Sequence, residues 1–519
     1  MLNLWIHSII VQVSMKTRSL IMLMAFAVAA LPSFSQQGLD CEVSFSAGYG
    51  SGDFAPYYIS SLKNGRFSSS KNLQAEISVS RVMNKGDRFS YGYGADVIAG
   101  YASGVGYERF DKDTEGWVCH TERPSSVWIQ QLYGEVKYRG VFASFGMKEH
   151  TSALLNQRLT SGDLVESGNC RPIPQLRMGF VDFQDIPFTN GWMQIQGEVS
   201  YGKRLDNGWW RDHYNYYNDY LPRNEWYNYK RCYFRTRPSE PFCVTFGMQA
   251  AGEFGGISDY YSKGVLVRTD NKPIKLHTFF QMLLPTEDGG EGFYSGNHLG
   301  AWDFRARYRF KGGHEVAGYF SWPFEDGSGI AKQNGWDGLW GLEYKAPNKG
   351  VISGALIEYL DLTNHGGPIT HNPADYPGTS ITSHVSGQDN YYNHGLYASY
   401  AYFGMSIGTP AMMSPIYNRD GYIKFVGNVM RAFHVGIEGD MTSSVSYRLK
   451  GGYRKAYGNS SIPFVKPIHL ASFLAEINWR SKSVKGLSVN TQLGLDRGDM
   501  PCNSFGAMVS VKYNGLLNF

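Results

Sequence analysis

The sequence is poor in charge, poor in cysteine and, in its body, free of long apolar runs, and each shortage excludes something. Asp, Glu, Lys and Arg make up only 18% of the 519 residues, with 49 basic side chains against 45 acidic ones. A net charge of +4 without any Lys/Arg block excludes a nucleic-acid binder that works by phosphate attraction. After residue 35 no apolar stretch approaches the roughly 18 residues of a membrane-spanning helix, which excludes a helical bundle in the bilayer. Six cysteines permit disulfides in an oxidising compartment but do not require them. Cys232 and Cys243 flank the Pro238-Ser239-Glu240-Pro241 turn and are candidates to face each other across a hairpin, bridged or reduced. What the chain has in abundance is glycine, 61 residues, and aromatics: 36 Tyr, 30 Phe and 12 Trp, spread along its length. With 42% hydrophobic residues it is no disordered chain. It reads as β-rich and turn-rich.

The N-terminus carries an export address. Met15-Lys16-Thr17-Arg18 is basic, 20–31 lacks any polar side chain, and Pro32-Ser33-Phe34-Ser35 supplies small residues for cleavage. Residues 1–35 are therefore expected to be a secretory signal peptide, with Met15 as the true start, and 36–519 the exported body. An exported chain without a helical anchor is either secreted or crosses a membrane as strands.

Period-two alternation continues to the last residue. Val509, Val511, Tyr513, Leu517 and Phe519 share one face, and Ser510, Lys512, Asn514 and Asn518 the other. The same pattern recurs in Phe473, Ala475, Ile477 and Trp479 against Ser472, Glu476, Asn478 and Arg480, and in Leu132, Val136 and Tyr138 against Glu135, Lys137 and Arg139. A soluble sandwich alternates too. Full charges on the polar faces, aromatics at strand ends and the terminal Phe519 favour a barrel, the only β solution in lipid. The expected fold is all-β: a single-chain antiparallel transmembrane barrel of about 18 strands in the outer membrane. Short turns such as Asn84-Lys85-Gly86-Asp87, Arg139-Gly140 and Lys311-Gly312-Gly313 alternate with long segments near 50–71, 103–126, 149–173, 203–226, 251–298, 361–394 and 412–428. Short periplasmic turns and long extracellular loops are the matching asymmetry. Segmentation from the pattern alone gives roughly twenty strands, including a hairpin of 396–402 and 405–411 around Phe403-Gly404.

Catalytic and metal motifs are scarce. Gly404-Met405-Ser406-Ile407-Gly408 has the letters of a nucleophile elbow, but Thr409-Pro410 follows where a helix must start. Asp326-Gly327-Ser328-Gly329 and Glu287-Asp288-Gly289-Gly290-Glu291 read as turns rather than calcium loops. His365, His371, His384 and His394 lack any regular period and read as solvated loop histidines. No cofactor or metal is expected.

A set of blocks is more specific. Ser167-Gly168-Asn169-Cys170-Arg171-Pro172-Ile173-Pro174-Gln175-Leu176-Arg177, Asp185-Ile186-Pro187, Gly296-Asn297-His298-Leu299-Gly300, Asp389-Asn390-Tyr391-Tyr392-Asn393-His394 and the run from Arg431 to Gly439 follow one another in order. Together they resemble the Wzi-like capsule assembly proteins, over about 129 to 440. The resemblance implies an eighteen-stranded outer-membrane barrel, hence one hairpin fewer than the segmentation. It also implies a non-enzymatic, lectin-like role in holding capsular polysaccharide at the cell surface.

The candidate ligand residues are Tyr214, Tyr216, Tyr217 and Tyr220, with Arg171 and Asp389. The tyrosines belong to an aromatic-rich stretch, 209–227, interleaved with Asn, Asp and Arg, where rings offer flat faces to sugar C–H groups. The competing reading makes Asn169, Arg171, Arg177 and Asp389 clamps that hold long loops in the lumen, as a guanidinium among carboxylates does. A membrane-interface girdle accounts for Trp209 and Trp226. The expected partners are surface polysaccharide and outer-membrane lipid, the expected state a monomer. A small-solute channel and, less well, a barrel-embedded hydrolase are the alternatives.

Overall fold

A computed structural model describes residues 39–284, 296–367, 378, 389–499, 501 and 503–515. The expected signal peptide, Phe519, His371, His384, Cys502 and the acidic run 287–291 lie outside the described residues.

Eighteen antiparallel strands close into one barrel. The first six are β1 (Asp40–Gly50), β2 (Asn72–Arg81), β3 (Phe89–Ala102), β4 (Val127–Tyr138), β5 (Val141–Met147) and β6 (Gln175–Phe180, continued by Gln184–Asp185). Then come β7 (Met193–Lys203), β8 (Trp226–Thr236), β9 (Phe242–Phe254), β10 (Asn297–Arg309), β11 (Glu315–Phe324) and β12 (Gly338–Lys345). The last six are β13 (Gly354–Leu362), β14 (Val429–Asp440), β15 (Val445–Gly458), β16 (Pro463–Arg480), β17 (Leu487–Gly498) and β18 (Ser504–Asn514). Closure is direct: β1 pairs with β2 on one side, Val43 opposite Ile77, and with β18 on the other, Phe45 opposite Val511. No strand edge is left, which is what hydrocarbon demands of a sheet.

The two faces of the wall follow the alternation in the sequence. Phe45, Leu132, Val136, Phe473, Ile477, Val509 and Val511 point outward. The inward positions carry paired polar groups, such as Ser46 and Ser510 at 2.8 Å, Arg305 and Glu343 at 2.6 Å, and Arg448 with Glu476. Short turns join the strands at one end, and the long loops gather at the other, the extracellular end in an outer-membrane barrel.

Those long loops do not stand up in solvent. Loops 148–174 and 204–225 and the segment 389–428 fold into the barrel mouth, where Leu159, Val165, Ile173, Trp210, Tyr214, Tyr392, Tyr400 and Phe425 form one core with the inward Tyr227, Tyr229, Tyr319 and Leu356 of the wall. This core explains why the segmentation overcounts. Segments 396–402 and 405–411 do not cross the membrane: only Ala401–Tyr402 and Met405–Ser406 pair, as a tight hairpin inside the mouth. Both of its faces are buried, so it is apolar without being a wall strand. The turn needs left-handed backbone at Phe403 (φ 48) and Gly404 (φ 73).

Two smaller expectations fail for the same kind of reason. Cys232 and Cys243 do not meet: the hairpin register sets Cys232 opposite Met248, and Cys243 lies outside the β8–β9 ladder, opposite Arg307 of β10. Both are free thiols. His365 is not solvated either. It is buried, stacked on Tyr391 at 4.2 Å, with ring nitrogens 3.0 Å from the Asp389 carbonyl and 3.1 Å from that of Asn428. A loop that folds inward turns its polar rings into internal ties.

Candidate functional site

Five extracellular loops leave a cleft of about 640 Å³ between them. Loop 51–71 contributes Phe54 and Gly65, loop 148–174 contributes Arg171, and loop 204–225 contributes Trp209 and Asp212. Loop 103–126 forms one wall with a hairpin, Val105–Asp111 paired to Gly116–Glu122, which presents Tyr107, Arg109 and His120. Phe403 comes from the luminal hairpin.

Each side chain is held by the packing behind it. The short helix Asn207–His213 carries Trp209, and the residue before it, Asp206, ties it down. The Asp206 carboxylate accepts from the Trp210 indole at 2.8 Å and from the Phe403 amide at 3.1 Å, and it faces Arg204 at 3.0 Å. Arg204 also pairs with Glu253 and lies 3.8 Å from Glu225, so one buried guanidinium serves three carboxylates. Removing one member of such a group strands the others in low dielectric, which fixes helix and hairpin relative to each other.

Arg171 is placed by its own segment. Ser167 Oγ donates to the Gly408 carbonyl at 2.6 Å, and Asn169 Nδ2 donates to that of Ser406 at 3.1 Å. Asn169 Oδ1 accepts from the Leu62 amide at 3.1 Å, so three loops meet at this residue. Pro172 then stiffens the backbone after Arg171. At Gly65, φ 71, a Cβ would press on the Arg171 stem and backbone; glycine lets the arginine lie flat there. The guanidinium carbon sits 4.5 Å from the Trp128 ring centre and 4.7 Å from that of Phe403. Contacts of this kind are each worth about 0.5–2 kcal/mol.

The chemistry of Arg171 follows from what it lacks. Among the described residues no carboxylate comes within ion-pair distance, and its Nε is buried without a hydrogen-bond partner. Burial without an adjacent anion pulls its pKa down to about 10, which still leaves it charged at neutral pH. Arg177, six positions on, is the opposite case: it grips both oxygens of Glu166 at 2.9 Å and Glu198 at 2.5 Å. The lumen clamp is therefore Arg177, whereas Arg171 presents a stacked, uncompensated cation to an open cleft.

The four tyrosines do not form one surface. Tyr214 is fully buried, its hydroxyl donating to the Asp219 carbonyl at 2.8 Å, so it presents no ring face outside. Tyr216 packs on Tyr214 and Tyr261, and its hydroxyl donates to the Arg211 carbonyl at 2.9 Å. Tyr220 packs at a tilt on Tyr260 and accepts from Arg268. Only Tyr217, 40% exposed, offers an open ring; it packs against Phe110 and Trp117 of the cleft-wall hairpin. Asp389 lies apart from the cleft, beside His365, with Oδ2 unpartnered among the described residues. Burial, then the charges of Asp326 and Asp337, push it up to about 8.

Sequence reading missed Trp209, Phe403 and Arg109 as cleft residues. Arg109 donates to the Asp212 carbonyl and sits 5.4 Å from the Tyr216 ring. Ser406 of the elbow-like motif is buried inside the luminal fold and lines no cleft.

The closed eighteen-strand barrel with folded-in outer loops defines an outer-membrane β-barrel. No family profile matches the sequence, and no curated protein matches it. Among solved structures the chain is similar to Wzi of Escherichia coli, an outer membrane protein involved in group 1 capsule assembly and described as a carbohydrate binding β-barrel. The TM-score is 0.53 at 13% identity, covering 92% of this chain and 85% of that one. It also matches Acinetobacter baumannii OccAB2, with a TM-score of 0.46, 8% identity and coverage of 93% and 98%. Pseudomonas aeruginosa OprD matches with 0.43, 7%, 92% and 94%. At these identities the likeness is one of fold.

Proposed function

We propose that the protein binds surface polysaccharide at the outer face of the outer membrane, without catalysis, as a Wzi-like protein. The observation that carries this reading is Arg171: a guanidinium stacked between two aromatic rings, without a carboxylate partner among the described residues, at the wall of an open extracellular cleft. Rings supply flat apolar faces for sugar C–H groups, and a planar guanidinium pairs with a carboxylate through two parallel bonds. Arg109 and Arg123 at the same cleft add two further cations, against the carboxylates of Glu122 and Asp212. Acid-bearing saccharides are therefore the favoured class, with Trp209 and Phe403 as ring contacts.

A small-solute channel needs a continuous wet path. The luminal core occupies much of the mouth, and the segment 63–67 lies between the outer cleft, which Gly65 lines, and a lower cavity of about 530 Å³, which Lys63, Arg66 and Phe67 line. Arg66 secures that segment, pairing with Glu76 at 2.6 Å and with Glu149. These features favour binding over conduction. The test is genetic: cells lacking the protein should shed surface polysaccharide into the medium, wild-type protein should restore retention, and Arg171→Ala should not although it inserts normally. Full retention by the deletion strain would contradict the reading.

A further inference from the structure

The helix Leu276–Leu283, from the long loop between β9 and β10, lies on the outside of the barrel rather than in its mouth. Strand register establishes the side. In β8 the inward residues are Tyr227, Tyr229 and Arg231, the last 3.3 Å from luminal Glu198. Asn228 and Lys230 alternate with them and so point outward, opposite Tyr201 and Val199 of β7. Outward side chains lower on this wall are open, as at Phe246, 43% exposed. Asn228 and Lys230, by contrast, are 0% and 8% exposed.

What covers them is the helix. Met282 is fully buried, and its carbonyl accepts from Lys230 Nζ at 2.5 Å, while Asn228 Oδ1 accepts from the same ammonium at 3.0 Å. The Phe279 carbonyl accepts from the Tyr201 hydroxyl at 2.6 Å, and the Phe279 ring packs on Tyr201, Trp226 and Phe254. A Cβ at Gly252 would run into the Met282 methyl, so glycine there permits the close approach. An outward lysine on a bare wall is unfavourable against lipid. Here it meets the unsatisfied carbonyls and negative end of a helix C-terminus. The opposite side of the helix is apolar and open: Leu276 is 77% exposed and Phe280 63%, one turn apart on a single stripe.

We propose that this helix is embedded in lipid, a second layer on the barrel wall whose Leu276–Phe280 stripe meets outer-leaflet acyl chains, with Lys230 as its latch. The occupant is lipid because the helix packs on the outer face of β7, β8 and β9, and lower on that wall the outward Phe246, beside Phe304 of β10, belongs to the exposed apolar belt. This inference is independent of what the cleft binds.

The experiment places p-benzoylphenylalanine at position 280 of the full chain, reconstituted in phosphatidylethanolamine/phosphatidylglycerol vesicles that contain a fluorescent-acyl phospholipid. Illumination should attach lipid at 280 as it does at 246 in the belt, and not at 113 in the extracellular hairpin. Labelling at 246 without labelling at 280 would overturn the proposal, and so would a two-chain adduct from 280, which assigns the stripe to a second copy. For the latch, Lys230→Gln should speed tryptic cleavage after Lys275 in the same vesicles; an unchanged rate would refute that role.

Discussion

The guanidinium carbon of Arg171 lies 4.7 Å from the ring centre of Phe403, although the two residues belong to different extracellular loops. The cleft is thus assembled by loop folding, and its cation is held by ring faces instead of a carboxylate. Arg171→Ala should weaken binding of an acidic oligosaccharide at least tenfold, equivalent to about 1.4 kcal/mol. Arg171→Lys should restore only part of it, because an ammonium lacks the planar fork. Titration calorimetry in detergent checks both, and equal affinity in Arg171→Ala would refute the assignment.

Arg177 should behave differently. Cutting it to Ala leaves Glu166 without its cation in a buried site and Glu198 with Arg231 alone, a loss on the order of 3–5 kcal/mol from the anchoring of loop 148–174. Limited proteolysis should then cleave that loop in the folded barrel, where Arg171→Ala stays protected. Equal protection in the two variants would count against the clamp.

The tyrosines divide by burial. Tyr214→Ala removes a ring from the luminal core and should cost about 3–5 kcal/mol of loop anchoring, as truncation of buried aromatics does. Tyr217→Ala removes only a half-open ring beside Phe110 and Trp117 and should leave loop protection unchanged. Hydrogen exchange of the 204–225 loop separates the two; matching loss of protection would place Tyr217 in the core as well.

A pH dependence follows from Asp389. Its carboxyl is raised from the ordinary 3.8 to about 8, by burial first and then by Asp326 and Asp337. Glu325 is also raised, by burial and by Asp389. The folded loop favours the neutral acid, so the stabilisation is full below about pH 3.8 and is lost as pH rises through about 8. Amides at 389–428 should be better protected at pH 5 than at pH 9 after correction for intrinsic exchange, and Asp389→Asn should flatten the difference. A wild-type protein without that difference would contradict this account.

The wall of the barrel was legible because lipid and lumen impose a strict period of two, visible at Phe473–Trp479 and Val509–Tyr513. The hairpin at Ala401–Ser406 was not, since an apolar run buried on both faces looks like a strand in any sequence. Of the candidate residues, Arg171 lines the cleft, whereas the clamp role expected of it falls to Arg177. Aromatic richness in 209–227 did not reveal which rings are core: Tyr214 and Tyr217 stand three positions apart, the one buried and the other exposed. Trp209 and Phe403 meet only after two loops fold together, which local pattern does not encode.

The central claim is that the cleft around Arg171 binds an acidic saccharide in a barrel whose mouth is largely filled. The most direct measurement is saccharide binding by the purified wild-type protein, with acidic and neutral oligosaccharides of equal length compared at low and high salt. The account predicts saturable binding of the acidic ligand, weakened by salt and absent in Arg171→Ala, with the neutral ligand bound far less. Equal binding of both ligands, unaffected by Arg171→Ala, would contradict it.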